Sequence, residues 1–403
     1  MRDAPYLDFP LGEYERRVAA VRGLMDAEDL DLLVLTVREN VEYLCGFTAV
    51  SWRNSDKSFW LIVPREGPLR FIADPIHVGN SEKTCCADEV LYWGREGVTA
   101  VDLLAETLQQ LGGDGAVGLE IGVRARINMS VPDYHAVREI LGDRPVMDAG
   151  ALVGRVFMVK CDEEIRRIRR ACQITVQAIG EIFPHIEPGM TERMIIRDLT
   201  RRFLELGADT PLNSNNFGYL GINGGRPTQN NPTAGDRPLQ RGDLVRLDGG
   251  CIYRNYGADV SRVVVVAAEP SANYRRHIDA CNEVMDHVIA AIRPGVTSAQ
   301  LCDVAYESIV RLGYERKQRI LMDRISVKAG SMIGHSTGYC MHEDPFITPT
   351  DQTVWQENMT GSVEFGLGDD DTGFADFEDN WLVHQDGCEV LTPGPRLIES
   401  AIR

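Results

Sequence analysis

The sequence predicts an α/β N-terminal unit followed by an α+β unit built from two similar halves. Three observations carry the prediction. Short β-type runs alternate with helical patterns through about the first 157 residues. Beyond them, two sets of helix-start and helix-stop signals recur at one gapless spacing. Each set is followed by a β-rich segment that carries carboxylates. A chain of 403 residues exceeds one typical domain, so a division into 1–157 and 158–403 is expected.

In the first unit, residues 12–28 read as an amphipathic helix. The runs "DLLVLTV" (31–37), "FWLIVP" (59–64), "LRFIA" (69–73) and "AVGLEIG" (116–122) read as strands, with helical patterns at about 98–111 and 133–141. Strand and helix in alternation imply an α/β layer around a mainly buried sheet. Asp162 is the expected N-cap of a long helix that places Ile165, Ile168, Cys172, Val176 and Ile179 on one side.

The repeat lies beyond that helix. Pro188, Gly189, Thr191, Leu206 and Gly207 recur as Pro294, Gly295, Thr297, Leu312 and Gly313, all offset by 106. Each Thr suits a helix N-cap and each terminal Gly suits the position after a helix end. Five matches at one offset argue for a duplicated architecture, with two helices and then β-structure in each half.

Composition is that of an ordinary soluble protein, with 44% hydrophobic and 25% charged residues. A net charge of −18 argues against a nucleic-acid partner. Ten cysteines without a CxxC spacing suit reduced, buried thiols in a cytoplasmic protein. The N-terminus has no apolar signal-peptide core, and the apolar run at 263–268 is too short to span a bilayer, so no membrane association is expected.

The β-rich segments carry the chemistry. "GDLVRLDGGCIYRNYGADVSRVVVV" (242–266) reads as a hairpin about "YRNYG", with Asp248 and Asp259 on facing strands. "GSVEFGLGDDDTGFADFEDNWLV" (361–383) has the same form, with Glu364 and Glu378 on either side of its turn. If the halves pack about a pseudo-twofold, four carboxylates converge and His335 joins them. Buried like charges repel, and divalent cations are the usual remedy. Four carboxylates and an imidazole suit two ions such as Mn²⁺, Fe²⁺, Co²⁺ or Zn²⁺, about 3.5–4 Å apart, activating a water and polarising a substrate oxygen. An isolated Asp in a hairpin, or an isolated His in a Gly-rich loop, is ordinary; the weight comes from the set. His342, seven residues after His335 in "GHSTGYCMHEDP", suits a general acid or hydrogen-bond donor.

"LDGGCIYRNYGADVSR", "GHSTGYCMHEDP", "VEFG" and "FEDNWLV" resemble the aminopeptidase P, prolidase and creatinase family. The resemblance spans nearly the whole chain. It implies a creatinase-like N-terminal domain and a duplicated pita-bread catalytic domain. The implied metal ligands are Asp248, Asp259, His335, Glu364 and Glu378, with His342 contacting substrate. Glu364 is the expected proton acceptor. The resemblance also implies a homodimer in which Trp52 or Arg53, in "AVSWRNSD", contacts substrate across the interface.

Some positions depart from the family pattern. Asn230 stands where a histidine usually precedes the first hairpin, and Asn cannot shuttle protons at neutral pH. Phe365 replaces a proline after the first Glu ligand, Asp376 replaces an arginine before the last, and the second hairpin is short. Asp369, Asp370, Asp371 and Asp376 read first as a solvated hairpin tip; the sharper alternative is an acidic rim that favours a cationic substrate group. The leading expectation is a dinuclear-metal hydrolase of a C–N bond, Xaa-Pro dipeptidase-like, acting on a dipeptide or other small molecule. The alternative is a non-peptidase acting on a small cationic zwitterion, like creatinase or the dimethylsulfoniopropionate lyases. A non-enzymatic binding module is disfavoured, because all five ligand positions are present.

Overall fold

The computed structural model describes residues 1–54, 56–94, 96–122, 127–211, 221–225, 234–314, 332–369 and 371–402. The chain separates into two compact units, Met1–Val156 and Phe157–Arg403.

The first unit contains α1 (Leu11–Ala27), β1 (Leu30–Leu35), α2 (Arg38–Cys45), β2 (Trp60–Pro64), β3 (Arg70–Ala73), α3 (Val78–Thr84) and β4 (Glu89–Tyr92). After these come α4 (Ala100–Leu111), β5 (Ala116–Leu119), α5 (Val131–Leu141), β6 (Val146–Asp148) and α6 (Gly150–Phe157). The strands form one sheet in the order β4-β3-β2-β1-β5-β6. Leu32, Val34, Trp60, Ile62, Ile72, Val117 and Leu119 from the sheet pack with Leu104 and Leu108 of α4. The strand expected over 31–37 stops at Leu35 because its next two amides turn to a buried carboxylate. Thr36 N and Val37 N donate to Glu120 at 2.5 and 2.8 Å, and Asn40 Nδ2 donates to it at 2.5 Å. These bonds start α2, which the sequence reading does not predict. Asn40–Cys45 are all buried, the polar Asn40 and Glu42 among them, so apolar character in the sequence does not mark the inner face of this short helix.

The second unit opens with α7 (Asp162–Ile182), α8 (Glu192–Glu205), β7 (Thr210–Pro211) and β8 (Gly221–Gly225). The first acid-bearing segment forms β9 (Leu244–Gly249), β10 (Cys251–Tyr253), β11 (Tyr256–Gly257) and β12 (Val260–Val265). Next come α9 (Ala272–Ala291), α10 (Ser298–Arg311), β13 (Gly334–Ser336) and β14 (Glu343–Phe346). The unit closes with β15 (Thr360–Asp369), β16 (Gly373–His384), β17 (Gly387–Val390) and β18 (Leu397–Ile398). The main path of the large sheet runs β14-β13-β15-β16-β12-β9-β8, and β11-β10-β7 form a small sheet of their own.

The duplication appears in backbone detail. Thr191 Oγ1 accepts from Met194 N, and Thr297 Oγ1 accepts from Gln300 N. Gly189 N donates to Leu239 O, and Gly295 N donates to Trp355 O. Thr191 bridges Pro238, and Thr297 bridges Val354. After the helices the offset between halves becomes 116, relating Pro238 to Val354, Leu239 to Trp355 and Asp248 to Glu364.

One local expectation is corrected. Asp162 is the first helical residue of α7, not its cap; Cys161 is the N-cap, and its N–H donates to Glu164 Oε2 at 2.8 Å. Residues 242–266 form the expected hairpin in one register, with β9 facing β12 and β10 facing β11. Arg254 and Asn255, with φ of 48° and 69°, turn β10 into β11 within the small sheet, while β9 and β12 pair in the large one. No helix among the described residues is long and apolar enough to cross a membrane, and all ten cysteines are free thiols.

Candidate metal centre and catalytic face

Strand register brings the acidic residues together. Asp248 of β9 pairs with Ser261 of β12, Ser261 pairs with Glu378 of β16, and Glu378 pairs with Glu364 of β15. Directly opposed residues share a sheet face, so these side chains form one row across four strands. Asp259 stands two residues before Ser261 and so reaches the same side. At the other end of the row, His335 of β13 pairs with Ser362, two residues before Glu364.

The ligand-type atoms converge as the register requires. Atoms of Asp248, Asp259 and Glu378 lie within 4.8 Å of one another, as do those of His335, Glu364 and Glu378. A third group at the same spacing joins Asp259, His335 and His342. Nδ1 of His335 is 3.0 Å from Ser336 O, which can only accept, so Nδ1 carries the proton. Nε2 therefore presents a lone pair, with Ser362 Oγ at 3.3 Å, Glu378 Oε1 at 3.8 Å and Asp259 Oδ2 at 4.0 Å. A histidine anchored this way through its distal nitrogen has the geometry of a metal ligand.

His342 closes the group. The turn from β13 to β14 returns the chain so that Ser336 pairs with Glu343, and the rings of His335 and His342 lie 4.1 Å apart between centroids. His335 is fully buried, whereas His342 keeps part of its side chain open to solvent and the rest enclosed by the site. Burial lowers the pKa of both, further for His335, which also faces His342; the charge of Asp248 opposes the shift at His342.

The electrostatics call for cations. Burial, followed by the neighbouring carboxylates, raises the pKa of Asp259, Glu364 and Glu378 well above the usual range. Asp259 Oδ1 and both carboxylate oxygens of Glu378 are buried without a hydrogen-bond partner among the described residues. Buried acceptors left bare are costly, and native proteins rarely tolerate several together. The donor set of carboxylates and one neutral imidazole therefore fits divalent cations.

One further group on this face was not predicted. Arg246, buried and two residues before Asp248, donates to Asp248 Oδ2 at 2.9 Å and is paired with Asp376. Burial alone would lower the Arg246 pKa, but Asp376, Asp248, Glu364 and Glu378 outweigh it and raise it. The signal was available in "LVRLDGG", where period-2 alternation puts Arg246 and Asp248 on one face. Five carboxylates against this one guanidinium leave four negative charges when all are ionised, which two divalent cations would balance.

The acidic-rim expectation is corrected. Asp376 is buried against Arg246, and Asp369 accepts from Thr372 N at 2.6 Å and Asp371 N at 3.1 Å and contacts His277 Nε2 at 3.1 Å. Both are structural partners, which leaves Asp371 as the exposed acid of the turn; Asp370 lies outside the described residues. Asn230 also lies outside them. Trp52 is 7% exposed and packs on Phe47 and Phe59, so its ring is a core element of the first unit. Arg53 ends a short 3-10 turn, Val50–Arg53; its side chain lies outside the described residues.

Residues 166–385 match the model of metallopeptidase family M24, and residues 17–159 match that of the creatinase/prolidase N-terminal domain. An Xaa-Pro dipeptidase of Pyrococcus furiosus is 26% identical over 73% of this chain and 76% of its own. An ectoine hydrolase of Halomonas elongata is 24% identical over 97% of this chain and 98% of its own. The solved structure of an Xaa-Pro dipeptidase from Bacillus anthracis superposes with a TM-score of 0.81 at 23% identity, covering 96% of this chain and 99% of that one. The fold is thus a creatinase-type N-terminal domain followed by the duplicated pita-bread domain, and the chain belongs to metallopeptidase family M24.

Proposed function

We propose that this chain is a two-metal hydrolase that cleaves the C–N bond of Xaa-Pro dipeptides. The observation that carries the reading is the trio of overlapping ligand groups on one sheet face, with His342 beside His335. Asp248, Asp259, His335, Glu364 and Glu378 would hold two divalent cations, of manganese, iron, cobalt or zinc. When bound, such ions supply Lewis-acid polarisation of a substrate carbonyl and acidify a water.

The side chains divide the remaining work by accessibility. Asp259 and Glu378 are buried, whereas Asp248 and Glu364 are half-buried. Glu364 thus keeps access to the substrate side and is placed to take a proton from the attacking water. It would then return that proton to the leaving nitrogen. His342 is exposed toward solvent while its ring rests beside His335, so it can donate a hydrogen bond to the developing oxyanion. The same reading includes a homodimer and a reducing cytoplasm; the ten free thiols support the second of these alone.

A second reading is a non-peptidase acting on a small zwitterion. Phe365, Asp376 and Asn230 favour it, as does the near full-length likeness to a protein named for hydrolysing ectoine. Protein reconstituted separately with Mn²⁺, Fe²⁺, Co²⁺ and Zn²⁺ is assayed on Xaa-Pro dipeptides, creatine, ectoine and dimethylsulfoniopropionate. Metal-dependent proline release supports the first reading. Turnover of a zwitterion without proline release supports the second.

A further inference from the structure

A buried ion pair stands behind the histidine loop, and nothing in the chemistry above uses it. Lys160 and Glu343 are 2% and 5% exposed, and Lys160 Nζ donates to Glu343 Oε2 at 2.6 Å. The other carboxylate oxygen, Oε1, accepts from Cys340 N at 2.8 Å. Lys160 Nζ also donates to Phe157 O at 2.5 Å. Both oxygens of Glu343 are therefore engaged, and the residue next to His342 is held at its side chain.

The lysine is itself anchored to the strand that carries Glu364. Lys160 N donates to Asn358 O at 3.0 Å, and Val159 bridges Met359, immediately before β15. The loop closes tightly over the pair. A Cβ at Gly338 would lie 2.5 Å from Lys160 Cε and 3.2 Å from Glu343 Oε1. Gly338 O accepts from Gly257 N at 3.0 Å, so the same turn is also tied to the hairpin between Asp248 and Asp259.

We propose that Lys160 and Glu343 are positioning residues, which fix the 337–343 turn so that His342 stands beside His335. A fold staple could sit anywhere in the unit. This pair grips the one residue through which His342 enters β14, and it ties that residue to the start of β15. Small displacements at a reacting centre are expensive, whereas a buried pair contributes little net stability over apolar replacements. The inference rests on the role proposed for His342, so the test includes a readout independent of substrate.

The experiment compares metal-loaded wild type, Lys160→Met, and Lys160→Met with Glu343→Gln. The single variant leaves Glu343 buried without its cation and is expected to lower the melting midpoint. The double variant removes that charge, while its amide oxygen still accepts from Cys340 N, and is expected to restore the midpoint and keep wild-type metal content. Positioning predicts that the restored double variant still loses kcat on an Xaa-Pro dipeptide by roughly 10²-fold, with little change in KM. It also predicts an altered rate of His342 carbethoxylation by diethyl pyrocarbonate, followed by mass spectrometry. Wild-type kcat and wild-type His342 reactivity in the double variant would overturn the proposal and leave the pair a fold staple. If the peptidase reading is wrong, wild type too releases no proline, and His342 reactivity alone decides the question.

Discussion

The two halves of the catalytic domain carry equivalent positions with different chemistry. Asp248 and Glu364 correspond at the 116 offset, and so do Arg246 and Ser362. In the first half the residue two before the carboxylate is a guanidinium that binds Asp248 and reaches across to Asp376. In the second half it is a hydroxyl 3.3 Å from His335 Nε2. The hairpins differ as well. Glu364 and Glu378 are directly opposed, whereas Asp248 is opposed by Ser261 and Asp259 lies just outside the strand. Duplication thus supplied the frame, and divergence assigned charge compensation to one half and imidazole support to the other.

Breaking the second half should have the largest effect. His335→Ala removes the imidazole that faces Glu378 and Asp259, and it is expected to lose bound metal and with it all measurable turnover; metal content after gel filtration checks this. His342→Ala leaves the five carboxylate and imidazole ligands in place. It should keep its metal while kcat falls by about 10²–10⁴-fold. Equal metal loss in both variants would remove the division of labour between the histidines.

Breaking the first half should appear in stability. Arg246→Met strands Asp248 and Asp376 in a buried site and is expected to cost the metal-free protein about 3–5 kcal/mol, read from denaturant midpoints. Adding Asp376→Asn should recover part of that loss, because one bare charge is removed. An additive double variant would show that Arg246 does not act through Asp376.

The smallest effects test whether the halves are equivalent where they look alike. Thr191→Ala and Thr297→Ala each remove an N-cap and should each cost about 1 kcal/mol, with activity retained. Unequal losses would show that the two helix pairs do not carry the same load.

Much of this arrangement was legible in the sequence. Proline, glycine and threonine marked both helix pairs because caps and stops are local chemistry. The acidic hairpins were legible because alternation and turn residues are local too. Arg246 was missed because its partner, Asp376, is 130 residues away and only the register of three strands brings them together. Asp369 and Asp376 were misread as rim charges for the same reason: an acid near a turn looks solvated until His277 or Arg246 is placed beside it. Helix α2 was invisible because it is short and buries the polar Asn40 and Glu42 beside its apolar residues.

The central claim is that the row of carboxylates with His335 holds metal for C–N bond cleavage assisted by His342. The most direct test measures proline release and metal content together, on Mn²⁺-, Fe²⁺-, Co²⁺- and Zn²⁺-reconstituted wild type, His335→Ala and His342→Ala. The account predicts proline from wild type with at least one metal, none from a metal-depleted His335→Ala, and sharply reduced release from a metal-replete His342→Ala. Metal-replete wild type that releases no proline from any Xaa-Pro dipeptide would contradict it.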